Sequence, residues 1–162
     1  MGINTQVFKA RAISAVFFTI IMLAGILWNQ WSFLLLFAIV HFGCWKEYLN
    51  LIELIYHIKF NFYIKAGLII SGFALMFFFC GPLYSIQHYA IKENLFLPLL
   101  AAGWTILAIG ILQKSIFNLK ALGVAAIGWL YISLSWGMMI SLRQMNVNVL
   151  FGDLGWIIPL VI

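Results

Sequence analysis

The 162 residues are 65% hydrophobic and 8% charged, with a mean hydropathy of +1.10, whereas roughly a quarter of the residues of a soluble domain are charged. Water is therefore not the solvent of this chain, and a single helical bundle uses its whole length without a separate globular unit. The net charge of +5 comes from nine scattered Lys and Arg against Glu47, Glu53, Glu93 and Asp153; no basic cluster resembles a nucleic-acid footprint, and cations flanking apolar runs face anionic lipid instead.

Lys9 and Arg11 lead into the apolar run Ala12–Trp28. No small-x-small cleavage site follows, so the run reads as a retained first span rather than a signal peptide. A hydrocarbon core of about 30 Å needs about 20 helical residues. The pattern predicts spans at Ala12–Trp28, Trp31–Trp45, Ile64–Cys80, Leu95–Leu112 and Ala121–Ile140. Asn29-Gln30 makes a tight hairpin between the first two, Gly81-Pro82 ends the third, and Pro98 falls in the first turn of the fourth, where its missing N–H costs little. A sixth span opens at Leu154 and stops at Ile162. Lipid offers no partner for carbonyls stranded half-way across, so residues 1–162 read as one membrane-embedded domain, the N-terminal part of a longer protein. The predicted fold class is all-α: a polytopic transmembrane helical bundle of five full spans plus a truncated sixth.

Alternate loops differ in charge. Lys9, Arg11, Lys46, Lys59, Lys65, Lys114 and Lys120 collect on one side, against Lys92 and Arg143 on the other, which puts the N-terminus in the cytoplasm. Trp28, Trp31, Trp45, Tyr48, Tyr63 and Tyr84 fall near span ends, as an aromatic belt requires. Between Lys46 and Phe62 the polar residues Lys46, Asn50, Glu53 and His57 recur on one helical stripe. This predicts a cytoplasmic interfacial helix over 46–62, either prolonging the second span or lying along the membrane surface. Cys44 and Cys80 fall near opposite faces, roughly 30 Å apart, too far for a disulfide.

No paired carboxylates, Ser-His-Asp set, glycine-rich phosphate loop or His/Cys cluster can be assembled from this sequence. The clear intramembrane ionisable residue is His41, five positions before Lys46 and so about 7–8 Å below the basic interface. It could bond a neighbouring helix or stand near a substrate head group. Ser133, Gly137 and Ser141 form a small-residue ridge that admits a close helix, and Gly67, Gly72, Gly103 and Gly110 suggest similar contacts, suited to packing or to homo-oligomer formation.

Three stretches carry a family resemblance. Arg11-Ala-Ile-Ser14-Ala15 opens the first span, Trp45-Lys-Glu47-Tyr48-Leu-Asn-Leu51 closes the second, and Gly128-Trp-Leu-Tyr131-Ile132-Ser133-Leu134 lies in the fifth. Their order, with the tight hairpin between the first two spans, resembles the start of a phosphatidate cytidylyltransferase, the CDP-diacylglycerol synthase family. Ser133 and Ser135 stand where that family has Gly and often Pro. The resemblance implies a nucleotidyltransferase of phospholipid synthesis in the bacterial inner membrane. A phosphatidate oxygen attacks the α-phosphorus of CTP, giving CDP-diacylglycerol and pyrophosphate, with Mg2+ as the expected metal. Its catalytic and metal-binding residues would lie beyond Ile162, so the chain alone is expected to be inactive. Arg11 and Glu47 carry over as substrate-side or family-type positions, and the implied partners are membrane lipids, phosphatidate and CTP. The alternative is a membrane scaffold or transporter component with no chemistry of its own.

Overall fold

Asn29 and Gln30 interrupt the first apolar run, and the chain reverses there, joining helix α1 (Thr5–Leu27) to α2 (Gln30–Ile55). The computed structural model describes residues 5–87, 89–113 and 119–144, and 87% of these are helical. The Asn29 N–H donates to Ser32 Oγ (3.0 Å), and the single Ser32 hydroxyl proton is within reach of the Asn29 carbonyl (2.8 Å) and, across the hairpin, the Gly25 carbonyl (3.1 Å). A Cβ on Gly25 would come within 2.6 Å of Leu36 Cδ2 and 3.1 Å of its Cβ, so glycine here lets the Leu36 side chain pack closely against α1.

Along α2 the buried residues Phe33, Phe37, His41, Trp45, Leu49 and Ile52 follow one another at three- and four-residue steps, forming one inward stripe. The helix ends at Ile55 rather than continuing to residue 62, and His57 takes a left-handed φ of 51°. Of the polar stripe predicted over 46–62, Lys46, Asn50 and Glu53 are therefore helical and His57 is not. Glu53 organises the turn that follows: one carboxylate oxygen accepts the Phe60 N–H at 2.6 Å and the other pairs with Lys65 Nζ at 2.8 Å.

Helix α3 (Phe62–Phe78) is followed by a 3-10 turn at Pro82–Tyr84, the strand pair β1 (Ser85–Ile86) and β2 (Tyr89–Ala90), and α4 (Ile91–Leu112). Ser85 faces Ala90 and Ile86 faces Tyr89 in the antiparallel pair. Because β2 delivers the chain directly into α4, that helix starts at Ile91, four residues before the predicted span, and Pro98 lies inside it rather than in its first turn. The α3–α4 seam is lined by glycine. A Cβ on Gly103 would meet the Ser71 backbone nitrogen at 2.7 Å, and one on Gly67 the Leu107 nitrogen at 2.7 Å.

The last described helix is continuous over 119–144 in three parts: α5 (Leu119–Gly128), a π-helical segment at Trp129–Leu134, and α6 (Ser135–Gln144). A Cβ on Gly137 would collide with the Phe79 ring, so the predicted small-residue ridge is occupied within the chain by the end of α3. The core divides in two. Leu49, Ile52, Ile64, Leu68 and Ala125 pack around Trp45, and Phe33, Phe37, Met76, Tyr84 and Ile140 pack towards the hairpin. His41, Ser71 and Ser133 are the buried polar residues among those described. Cys44 and Cys80 are both free; Cys80 is in the hairpin cluster and Cys44 packs against the other.

Gln30–Ile55, Ile91–Leu112 and Leu119–Gln144 are long and apolar enough to cross a membrane; Arg11–Leu27 and Phe62–Phe78, at the predicted first and third spans, are apolar but shorter. Phe17, Phe18, Ile20 and Ile21 of α1, with Leu35 and Ile39 of α2, point outward and exposed. Such a surface suits lipid and not water. The predicted sixth span, Leu154–Ile162, lies outside the described residues.

Candidate functional site

His41 and Trp45 stand one turn apart on the inward stripe of α2, and Ser133 meets them from the π-helical segment. A π turn carries one extra residue per hydrogen-bonded ring, which widens the helix locally, and such segments recur at functional sites. Here it accompanies a fully buried Ser133. His41 Nε2 and Ser133 Oγ are 3.0 Å apart; the Trp45 indole N–H donates to Ser133 Oγ at 3.0 Å and, less closely, to His41 Nε2 at 3.2 Å.

One proton arrangement satisfies all three contacts. An indole N–H can only donate, so the Nε2 it faces is an acceptor, and the Ser133 hydroxyl proton goes to that nitrogen while its oxygen receives Trp45. His41 is then a neutral ring protonated at Nδ1. Nδ1 is buried and has no hydrogen-bond partner among the described residues; the ring itself packs edge-on to Phe73, centroids 4.6 Å apart. Gly72 leaves the space for the cluster, since a Cβ there would meet Trp45 Nε1 at 2.6 Å and Ser133 Oγ at 2.8 Å.

Beside the cluster, α2 and the facing helix form an open-sided cavity of about 520 Å³, with Cys44, Glu47 and Tyr48 on one wall and Tyr131, Ile132 and Ser135 on the other. The volume is within the range of small-molecule sites, which are mostly apolar with a few placed polar groups. Glu47 is the charged residue of the lining. The two walls are tied by Tyr48, whose hydroxyl donates to the Val124 carbonyl (2.7 Å), while the Trp129 N–H anchors the facing helix to α3 through the Leu68 carbonyl (3.1 Å).

Glu47 and the stretch Tyr131–Ser133, far apart in sequence, thus meet around one cavity and one polar cluster. Arg11 does not join them; it lies exposed on α1. Trp45 and Tyr84, read from sequence as belt residues, are instead fully buried. The signal that would have turned Trp45 inward is its i, i+4 spacing from His41 opposite the glycine at 72. Among the described residues no three His, Cys, Asp or Glu side chains are grouped to hold a metal ion. No known protein family, curated protein or solved structure matches the chain.

Proposed function

We propose that this chain is the membrane-embedded, lipid-holding part of an enzyme of the phosphatidate cytidylyltransferase type, and that the cavity between α2 and the facing helix receives an acyl chain of phosphatidate. In this reading the chain crosses the bilayer five times, with its N-terminus in the cytoplasm. A shorter helix such as Phe62–Phe78 then borrows interfacial residues to complete its crossing. The observation that carries the reading is the mainly apolar cavity of about 520 Å³, rimmed by Glu47 and built from two of the stretches on which the resemblance rests.

The reaction such an enzyme performs forms a bond between a phosphatidate oxygen and the α-phosphorus of CTP and breaks the α–β phosphoanhydride, releasing pyrophosphate. The part assigned to this chain is positioning. An acyl chain seated between Cys44, Ile132 and Ser135 would hold the lipid at one depth and bring its phosphate to the membrane surface beside Glu47. A carboxylate does not attract phosphate, so Glu47 limits how deeply the head group settles, while exposed cations such as Lys46 and Lys120 supply long-range attraction.

Ser135 is exposed and lines the cavity, so Ser135→Trp fills the space without entering the core. Phosphatidate binding to the purified chain in nanodiscs should weaken by about fivefold or more in this variant, as expected when an apolar subsite is blocked. Unchanged binding, with the variant folded, would count against the cavity as the acyl site and favour a scaffold role.

A further inference from the structure

The cavity between α2 and the facing helix carries a chemistry that an acyl chain does not use. Its described lining holds one carboxylate, Glu47, and three aromatic rings, Tyr48, Tyr131 and Trp136, with no Lys or Arg among them. Glu47 and Tyr48 follow Cys44 at three- and four-residue steps and so share one face of α2. On the opposite wall Tyr131 and Ser135 are one turn apart, joined by the Ser135 hydroxyl donating to the Tyr131 carbonyl at 2.6 Å. Trp136 is backed by Phe37, ring centroids 5.0 Å apart. The Tyr48 hydroxyl proton goes to the Val124 carbonyl, so what Tyr48 adds to the lining is chiefly its ring.

Among the described residues Glu47 has no hydrogen-bond or ion-pair partner; the ion pair formed there is Lys65–Glu53. Water alone would satisfy a carboxylate on a bare helix face, but this one shares a cavity with ring faces that also attract cations. Both features select the same sign of charge. An alkylammonium group suits them: ring faces bind it without hydrogen bonds, and its carbon substituents tolerate apolar neighbours such as Ile132 and Cys44. Leu130 and Tyr131, on the segment that builds this wall, are 67% and 75% exposed, a surface that suits lipid, so the open side of the cavity gives onto the bilayer. The ammonium that reaches such an opening is one carried by a lipid head group.

We propose that this cavity recognises the ammonium head group of a zwitterionic lipid, with Glu47 as the counter-charge and Tyr48, Tyr131 and Trp136 as ring contacts. Lys46, exposed and outside the lining, is a cation available to the phosphate of the same lipid. Recognition of this kind uses the charge and the rings and does not require that the cavity hold a phosphatidate acyl chain; the two lipids would exclude one another.

The test uses the full chain, stripped of lipid in detergent, with dioleoyl phosphatidylethanolamine and dioleoyl phosphatidylglycerol titrated separately and read by native mass spectrometry. The two probes share chains and phosphate and differ in the ammonium. Glu47 and Tyr131 are both exposed, so Glu47→Gln and Tyr131→Leu leave the core intact. Phosphatidylethanolamine binding should weaken about threefold or more in Glu47→Gln and about twofold in Tyr131→Leu, as for a lost ion pair and a lost cation–ring contact. Phosphatidylglycerol should not weaken in either variant, and Lys92→Gln, outside this lining, should change neither lipid. Phosphatidylethanolamine binding indifferent to both cavity variants, or a response confined to tighter phosphatidylglycerol once the carboxylate no longer repels it, overturns the proposal. Weaker phosphatidate binding in Ser135→Trp beside such an indifferent phosphatidylethanolamine removes this site alone and leaves the acyl-chain reading in place. Phosphatidate binding insensitive to Ser135→Trp beside Glu47-dependent phosphatidylethanolamine binding supports the ammonium site and removes the acyl-chain reading.

Discussion

Ser133 is the residue on which the polar layer turns. It receives the Trp45 N–H and supplies the proton that His41 Nε2 accepts, so its hydroxyl serves two buried groups at once. Ser133→Ala leaves Trp45 with only the longer 3.2 Å contact to His41. The expected cost is about 1–3 kcal/mol, the penalty for unsatisfied buried polar groups, read as a lower thermal midpoint in detergent; an unshifted midpoint would show that the cluster is not needed for stability. Part of this was legible in the sequence. His41 stood out as an ionisable residue inside a span, and Ser133 as a small residue on a ridge, but nothing in composition linked them across 92 positions. Trp45 was misread because tryptophan beside lysine at a span end has the signature of an interfacial belt. Only the absence of a Cβ at Gly72 makes room for it inside.

At the scale of elements, two glycines in helices make opposite predictions. Gly103 faces the α3 backbone, with Ser71 N only 2.7 Å from where a Cβ would stand; Gly123 on α5 has nothing within 4 Å. Alanine favours a helix over glycine by roughly 1 kcal/mol. Gly123→Ala should therefore raise the thermal midpoint slightly, while Gly103→Ala should lower it, because backbone cannot move aside as a flexible side chain can. Equal responses would mean that the α3–α4 seam is looser than the structure has it. Glycine spacing in the sequence foretold close helix contacts but not which pairs would meet. The π-helical segment was not legible at all, since the apolar pattern of Ala121–Ile140 is compatible with an uninterrupted α-helix. Helix ends shifted where local pairing outweighed hydropathy. The β1–β2 pair carries the start of α4 back to Ile91, and Glu53 closes the turn after α2 before the amphipathic stripe is complete.

Across the whole molecule, composition pointed to a membrane helical bundle, because so few charges among so many apolar residues leave too little polar surface for a water-soluble fold, and the all-α fold with three helices long and apolar enough to cross a membrane agrees with this. The division of the core into two apolar clusters could not be read, since it depends on which faces of α2, α3 and the last helix turn towards one another. The orientation inferred from charge is open to a direct check. With Cys44 and Cys80 replaced by alanine, a cysteine at exposed Gln87 should react with an impermeant maleimide added outside intact cells, and one at exposed Asn50 should not. The reverse pattern would invert the topology and place the Glu47 cavity on the outer side. The most direct measurement is photocrosslinking in vesicles with phosphatidate bearing a diazirine on its acyl chain, followed by mapping of the labelled peptides. Label concentrated on Cys44, Tyr131, Ile132 and Ser135, and reduced by Ser135→Trp, is the expected result. Label spread along the exposed face of α1, with none between α2 and the facing helix, would contradict an acyl-chain site in this cavity.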